Sequence, residues 1–542
     1  MHNRRGRWLF LVVLLAGVLG FIGLWYLVPA DSEDVEPDFG GIYTEGLAGA
    51  PARVNPFYAN ENSIDATLSS LIFAGLTRLD EKGLPFPDLA QTWTVSPDGL
   101  VYTFTLRSGL TWQDGAPLTA ADVTFTYQLL QSPALKNPPS LQRLLEDATF
   151  ESPSDLTLTI RLTEPYAPLP AYLTLGILPA HLLRDANPAD LYDSPFNQQP
   201  VGSGAYRLQA LSLQHADLVA NPAYHFEQPF IQNLELRFYH DDGALFDALK
   251  LRQVNGALFA AGLGPSDFLE LDRRRDLRIT PLDTGAITYV YLNLELPIFE
   301  DRRLRQALLY AVDRPRLIDE VLRGQALRAD SPIPPDSWAY SGSLTRYEAN
   351  AEVANLLLDE AGWRRGTDGV RRRAGQPLAF SITTSSDPVQ TEVAKRVAAD
   401  WNELGASVTV KVSGLTPLVR DLIEQRDYEA VLFVDAAEAD PDPYRAWHSD
   451  GRGGRGDNLS LWSNTRVDAL LKEARTLAPP TRREELYREF QEVFAQEVPA
   501  IPLYVPTVIY VQDASLSGVR IGRLVQPGDR FWQVQEWFLK TR

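Results

Sequence analysis

The chain has 542 residues, no cysteine and a formal net charge of −19. Its length exceeds what one hydrophobic core serves and calls for two or three domains. The missing cysteine excludes disulfides, zinc–thiolate sites, thiol nucleophiles and a lipid-modified cysteine. The acidic balance leaves no Lys/Arg excess to displace phosphate counterions, so it argues against a nucleic-acid partner and reads as solubility.

At the N-terminus, Arg4, Arg5 and Arg7 precede an apolar run from Trp8 to Val28, and Asp31, Glu33, Asp34, Glu36 and Asp38 follow it. A helix of that length spans roughly 30 Å, the thickness of a bilayer core. Basic residues stay on the cytoplasmic side, which places the body outside the cell. Residues 1–30 are thus expected to be a membrane anchor. A signal peptide cut after Val28-Pro29-Ala30 is the alternative. Residues 31–41 read as an acidic tether.

Further on, Tyr102, Phe104 and Leu106 alternate with Thr103, Thr105 and Arg107, the pattern of a half-buried strand. Asp114-Gly115 supplies a turn, Pro117 keeps the chain extended, and Thr119 with Asp122 forms a short capping box. These carboxylates therefore read as scaffold. "PVGSGAYRL", 200–208, reads as a tight bend entering a strand over 205–211.

The second half alternates differently. "ITYVYLNL", 287–294, reads as strand and 302–312 as helix. Asp313, Pro315 and Gly324 frame another helix, and Asn350 and Gly362 a third. Then come strand "LAFSITT", helix 390–404, strand "ASVTVKV", helix 417–424 and strand "YEAVLFV". Such alternation predicts a mostly parallel sheet, with ligands beyond the carboxyl ends of its strands. The last strand opens into "DAAEADPDPYRAWHSD", 435–450, which concentrates Asp435, Glu438 and Asp440 beside Tyr444 and Trp447. Carboxylates beside aromatic rings offer polar anchoring and an apolar wall together. The plainer reading has Asp440 and Asp442 shaping a Pro-rich turn.

Catalytic motifs are missing. His2, His181, His215, His225, His240 and His448 form no i,i+4 pair or HExxH site. There is no Walker loop and no GxSxG elbow. Gly451, Gly453 and Gly456 match GxGxxG without a strand before or a helix after, and read as a loop. The carboxylates of 435–442 lack the glycine and terminal Glu of a calcium loop. No cofactor and no metal is expected. Trp338, Trp401, Trp447 and Trp462 suit sugar stacking, or, more commonly, core.

The run 71–127 resembles the signature of the family 5 extracellular solute-binding proteins, the substrate-binding components of ABC transporters for peptides, nickel and related solutes. The resemblance rests on "P-x-LA-x-x-W" at 87–93, "DG-x-x-Y-T-F-x-L-R" at 98–107 and "DG-x-P-x-T-A-x-DV" at 114–123. "VGSGAYRL", the strand and helix of 291–314, "LLLDEAGW", "DPDPY", "VDALLKEAR" and "VPAIPLY" continue it in order, over about 46–506.

The resemblance implies an α/β, two-lobed fold of the periplasmic-binding-protein type II kind, with an extra subdomain in lobe I, behind the N-terminal transmembrane helix. Lobe I would comprise 42–65 with 200–283 and 504–542, the extra subdomain 66–199, and lobe II 284–503. It implies a non-enzymatic, monomeric importer component that binds peptides in an interlobe cleft and docks on ABC permease subunits at the outer face of the membrane. The asparagine strand adds Tyr291 and Asn293 as candidate ligand contacts. Peptide-binding members place an Asp shortly before the "DP" equivalent. Here Ala436, Ala437 and Ala439 hold much of that stretch, leaving Asp435, Glu438 and Asp440. An oligosaccharide or metal-chelate ligand, a carboxylate-pair hydrolase and a membrane-sensor module are the alternatives.

Overall fold

The computed structural model describes residues 36–260, 262–436, 438–453, 456–476 and 480–539. The apolar run 8–28 lies outside the described residues. Among those described, no helix is long and apolar enough to cross a membrane.

The fold is mixed α/β, built on a sheet of twelve strands. One half runs in the order Tyr206–Leu211, His215–Ala220, Asn233–Tyr239, Ile42–Ala48 and Gly256–Phe259. The other runs Ser407–Ser413, Ala379–Ser385, Ala430–Asp435 and Ile287–Leu292. A single long strand, Ala500–Asp513, joins them. It pairs with Ile287–Leu292 through its first residues and with Gly256–Phe259 through its last. Strand Leu277–Asp283 also runs antiparallel to it, from Leu277 opposite Asp513 to Asp283 opposite Thr507. The chain then crosses to the second half at Thr284, whose hydroxyl donates to the Pro506 carbonyl at 2.9 Å. Two backbone segments thus cross side by side.

The sheet of the second half corrects the expectation of mostly parallel strands. Ala379–Ser385 is parallel to both Ser407–Ser413 and Ala430–Asp435, as helical crossovers demand. Ile287–Leu292 is antiparallel to both its neighbours, Ala430–Asp435 and the long strand. The reason is that it enters at the crossing, next to Asp435, where Ala430–Asp435 leaves (Ile287 pairs with Asp435). All six residues of Ile287–Leu292 are buried. Tyr289 and Tyr291 pack on one face with Trp447 and Phe494, and Val290 and Leu292 on the other with Ile382 and Trp401. Cover on both faces explains why burial is unbroken along a strand whose side chains alternate with a period of two.

A four-stranded antiparallel sheet, Ala90–Val95, Val101–Leu106, Thr157–Arg161 and Thr149–Ser154, stands beside the first half. Helix Ala120–Leu130 packs on it, with Val123, Tyr127 and Leu130 buried. The Thr119 amide donates to Asp122 Oδ2 at 2.9 Å, and the Ala116 amide to Asp114 Oδ1 at 3.0 Å. Both carboxylates are local scaffold, as their spacing implied. Within the bend at 200–204, position 202 admits only glycine: a Cβ on Gly202 would lie 1.9 Å from the Ile72 carbonyl oxygen.

The C-terminal segment is fixed to the first half by a fully buried ion pair. Arg530 lies 2.6 Å from Glu45, and Tyr510 donates to the other Glu45 oxygen at 2.9 Å. A buried pair of this kind adds little net stability, but losing one partner leaves an uncompensated charge. It therefore sets the position of residues 522–534 relative to helix Ser63–Ile72.

Candidate functional site

A cavity of about 630 Å³ lies against that helix. Asn62 caps the helix, its Oδ1 accepting from the Asp65 amide at 2.8 Å. The helix then presents Ser63, Ala66, Ser69 and Ser70 to the cavity. Small side chains here let the C-terminal segment approach closely: Ser70 Oγ donates to the Gly528 carbonyl at 3.2 Å. Arg78, Tyr172, Arg523 and Trp532 complete the walls, and Glu438 and Ala439 reach in from the second half.

Three bonds join the halves around it. The Tyr172 hydroxyl donates to Glu438 Oε2 at 3.2 Å, the Ala167 amide to the Arg475 carbonyl at 2.8 Å, and the Trp338 amide to the Lys82 carbonyl at 3.1 Å. Burial, then the neighbouring Tyr166 and Glu438, hold the Tyr172 hydroxyl well above its ordinary pKa, so it keeps its proton and serves as donor. The cavity is bridged across the two halves.

Of the sequence-derived candidates, only Glu438 lines this cavity, and its side chain is exposed. Asp435 ends its strand half-buried, opposite Ile287. Burial, then the charges of Glu438 and Asp457, raise its pKa to about 7 against the pull of Arg445. The remaining candidates already have protein partners. Asp440 is 1% exposed, and Arg483 grips both its oxygens at 2.5 and 2.9 Å. Burial works against the Arg483 cation, but Asp440 and the Tyr487 hydroxyl more than offset it and its pKa rises. Asp442 accepts from Arg475 Nε at 2.8 Å and from the Tyr444 amide, which bears out its turn-shaping reading.

Tyr444 stacks on His448 and donates to Asp450 at 2.9 Å. Trp447 is buried among Tyr289, Tyr291 and Phe494, with ring centroids 4.7–5.9 Å apart. Tyr291 is part of that cluster. Asn293 turns the chain, its Nδ2 donating to the Tyr428 carbonyl at 3.0 Å and its Oδ1 accepting from the Glu295 amide at 3.1 Å. Trp401 and Trp462 are core as well, and Trp338 packs on Tyr487.

Sequence reasoning missed Arg78, Tyr172 and Arg523, because the cavity walls come from segments several hundred residues apart. The one local signal was the Gln526–Asp529 turn, in which Asp529 Oδ2 accepts from the Val525 and Gln526 amides at 2.9 and 2.7 Å. Among the described residues no group of three or more His, Cys, Asp or Glu side chains is placed to hold a metal ion.

A family model described as the middle region of the bacterial extracellular solute-binding proteins, family 5, matches residues 85–456. Protein XP55 of Streptomyces lividans is 32% identical over 464 residues, covering 83% of this chain and 81% of that protein. The oligopeptide-binding protein AppA of Bacillus subtilis, solved in complex with a nonapeptide, superposes with a TM-score of 0.68 at 25% identity. That match covers 93% of this chain and 100% of the solved one. HbpA2 from Haemophilus parasuis superposes with a TM-score of 0.81 over 92% of this chain and 100% of that one. At 22% identity, that likeness is one of fold.

Proposed function

Since the chain belongs to the bacterial extracellular solute-binding proteins of family 5, we propose that it is the extracytoplasmic binding component of an ABC importer and that its ligands are short peptides. The observation that carries this reading is the cavity of about 630 Å³ bridged by the Tyr172–Glu438 bond. Sites of roughly 300–1,000 Å³ enclose small ligands almost completely. Ligand touching both halves favours the closed arrangement, and the two crossing segments at 283–287 and 504–508 are where rotation takes place. Glu438 supplies a carboxylate for the ligand's amino group. The closed form docks on membrane permease subunits, and residues 1–30 hold the protein beside them.

Thermal unfolding in the presence of alanine peptides from two to ten residues tests the ligand class. Ligand held only by the native state raises the melting temperature. No shift with any length at millimolar peptide would refute peptide binding. For the anchor, protein purified from membranes with an N-terminus at Asp31 would refute retention.

A further inference from the structure

Arg523 stands where the parts of the molecule meet. Its backbone amide donates to the Glu81 carbonyl at 3.3 Å, and a Cβ on Gly83 would lie 3.4 Å from its Nη1. The same 81–83 strap receives the Trp338 amide from the second half, through the Lys82 carbonyl. Arg523 also lines the cavity. It is 7% exposed, yet its Nε and Nη1 find no hydrogen-bond partner among the described residues.

Three carboxylates lie within its electrostatic reach. Asp336 comes from the second half, two residues before Trp338. Asp283 is the last residue of the strand that leads into the crossing. Asp529 belongs to the same C-terminal segment as Arg523. The Arg523 charge is felt at all three. Asp529 is already bonded to two backbone amides. Asp336 is not: both its oxygens are buried without partners, as is Asp283 Oδ2.

A buried cation and two half-buried carboxylates with buried, unpartnered oxygens, from three parts of the fold, thus lie within electrostatic reach without bonding one another. Unsatisfied buried charge is costly, so a small displacement that completes the pair is favoured. Burial first, and for Asp283 the Asp336 charge next, raise both carboxylates above their ordinary range, Asp283 to about 6. The cluster as it stands is short of positive contact.

We infer that Arg523 is the positioning residue for closure: it draws Asp336, and with it the second half, against the crossing at Asp283, and ligand in the cavity completes that ion pair by holding the Arg523 side chain in place. The inference rests on the importer reading for the ligand, but the attraction between Arg523 and the two carboxylates acts in the free protein too.

The absence of cysteine allows a clean two-label experiment. Leu213 in the first half and Leu356 in the second are 74% and 57% exposed. With both changed to Cys and labelled, energy transfer reports the separation of the halves. Without ligand, Arg523→Gln and Asp336→Asn should each shift the distribution toward the longer separation, the double variant no further than either alone, and Arg523→Lys should restore most of the parent behaviour. With tri-alanine as probe, both single variants should bind more than tenfold more weakly while the ligand-free melting temperature stays near that of the parent. A purely structural ion pair would lower that melting temperature and leave the separation unchanged.

Parent-like separations in Arg523→Gln and Asp336→Asn overturn the inference, whether or not tri-alanine binds. A variant-dependent separation with no tri-alanine binding sustains the inference and counts against the peptide reading. Should Arg523→Gln fail to fold, Asp336→Asn and Arg523→Lys carry the decision.

Discussion

The segment 435–447 and the Arg523 junction are both dense in charge, and they use it in opposite ways. In the first, Asp440 is clasped by Arg483, Asp442 by Arg475, and Tyr444 by His448 and Asp450. In the second, Arg523 and Asp336 keep buried polar atoms without partners. Charge density marks the first in the sequence, whereas the second is assembled from single charges at 283, 336 and 523. Only the structure tells carboxylates that are already paired from carboxylates with oxygens still unpartnered, and the closure role inferred above falls to the second kind.

The strongest way to break this contrast is to remove Arg483. Arg483→Ala leaves Asp440 charged and buried, and urea unfolding should show a loss of about 3–5 kcal/mol. Pairing Arg483→Met with Asp440→Leu should recover most of it. If Asp440→Ala instead kept parental stability and lost ligand, the segment would be a binding element after all.

Trp447→Phe tests the same point on the aromatic side. It leaves a void among Tyr289, Tyr291 and Phe494 and should destabilise by about 1–3 kcal/mol, with ligand affinity unchanged in calorimetry at a temperature where the variant is folded. Weakened binding without lost stability would place Trp447 at the ligand.

Glu438→Gln keeps an acceptor for the Tyr172 hydroxyl and removes only the charge. Tri-alanine affinity should fall about tenfold, near 1.4 kcal/mol, and the melting temperature should hold. Equal affinity for acetylated and free tri-alanine in the parent would dismiss Glu438 as an amine contact.

The smallest effect concerns pH. Asp435 titrates near 7 in the fold and near 3.9 unfolded, so between those values the native state binds more protons. Its contribution therefore weakens stability as pH rises from about 4 to 7. Asp435→Asn should flatten that slope by about 1 kcal/mol, the figure being reduced for a half-buried group. An unchanged slope in urea unfolding between pH 5 and 7.5 would show that Asp435 carries no such penalty.

Much of the framework was legible beforehand because its signals are local. Asp313 accepts from the Arg316 amide at 3.0 Å and Asn350 from the Glu352 and Val353 amides, as caps of the helices their spacing announced. The bend at Gly202 and the strand at 287–292 followed from residue type and period. Strand direction was not legible, since Ile287–Leu292 is antiparallel only because of where the crossing lies. The site was hardly legible at all. Asp440 and Arg483 are 43 residues apart and Tyr172 and Glu438 266 apart, and no motif encodes such pairings.

The long strand Ala500–Asp513 has a consequence for the order of assembly. Leu277–Asp283 and Ala326–Arg328 pair only with it, while Gly256–Phe259 and Ile287–Leu292 each have it along one side. A nascent chain that has not yet reached Ala500 holds two sheets with open edges and two strands with no partner. That strand is the keystone of both halves, so neither half completes its sheet before Ala500–Asp513 has been made.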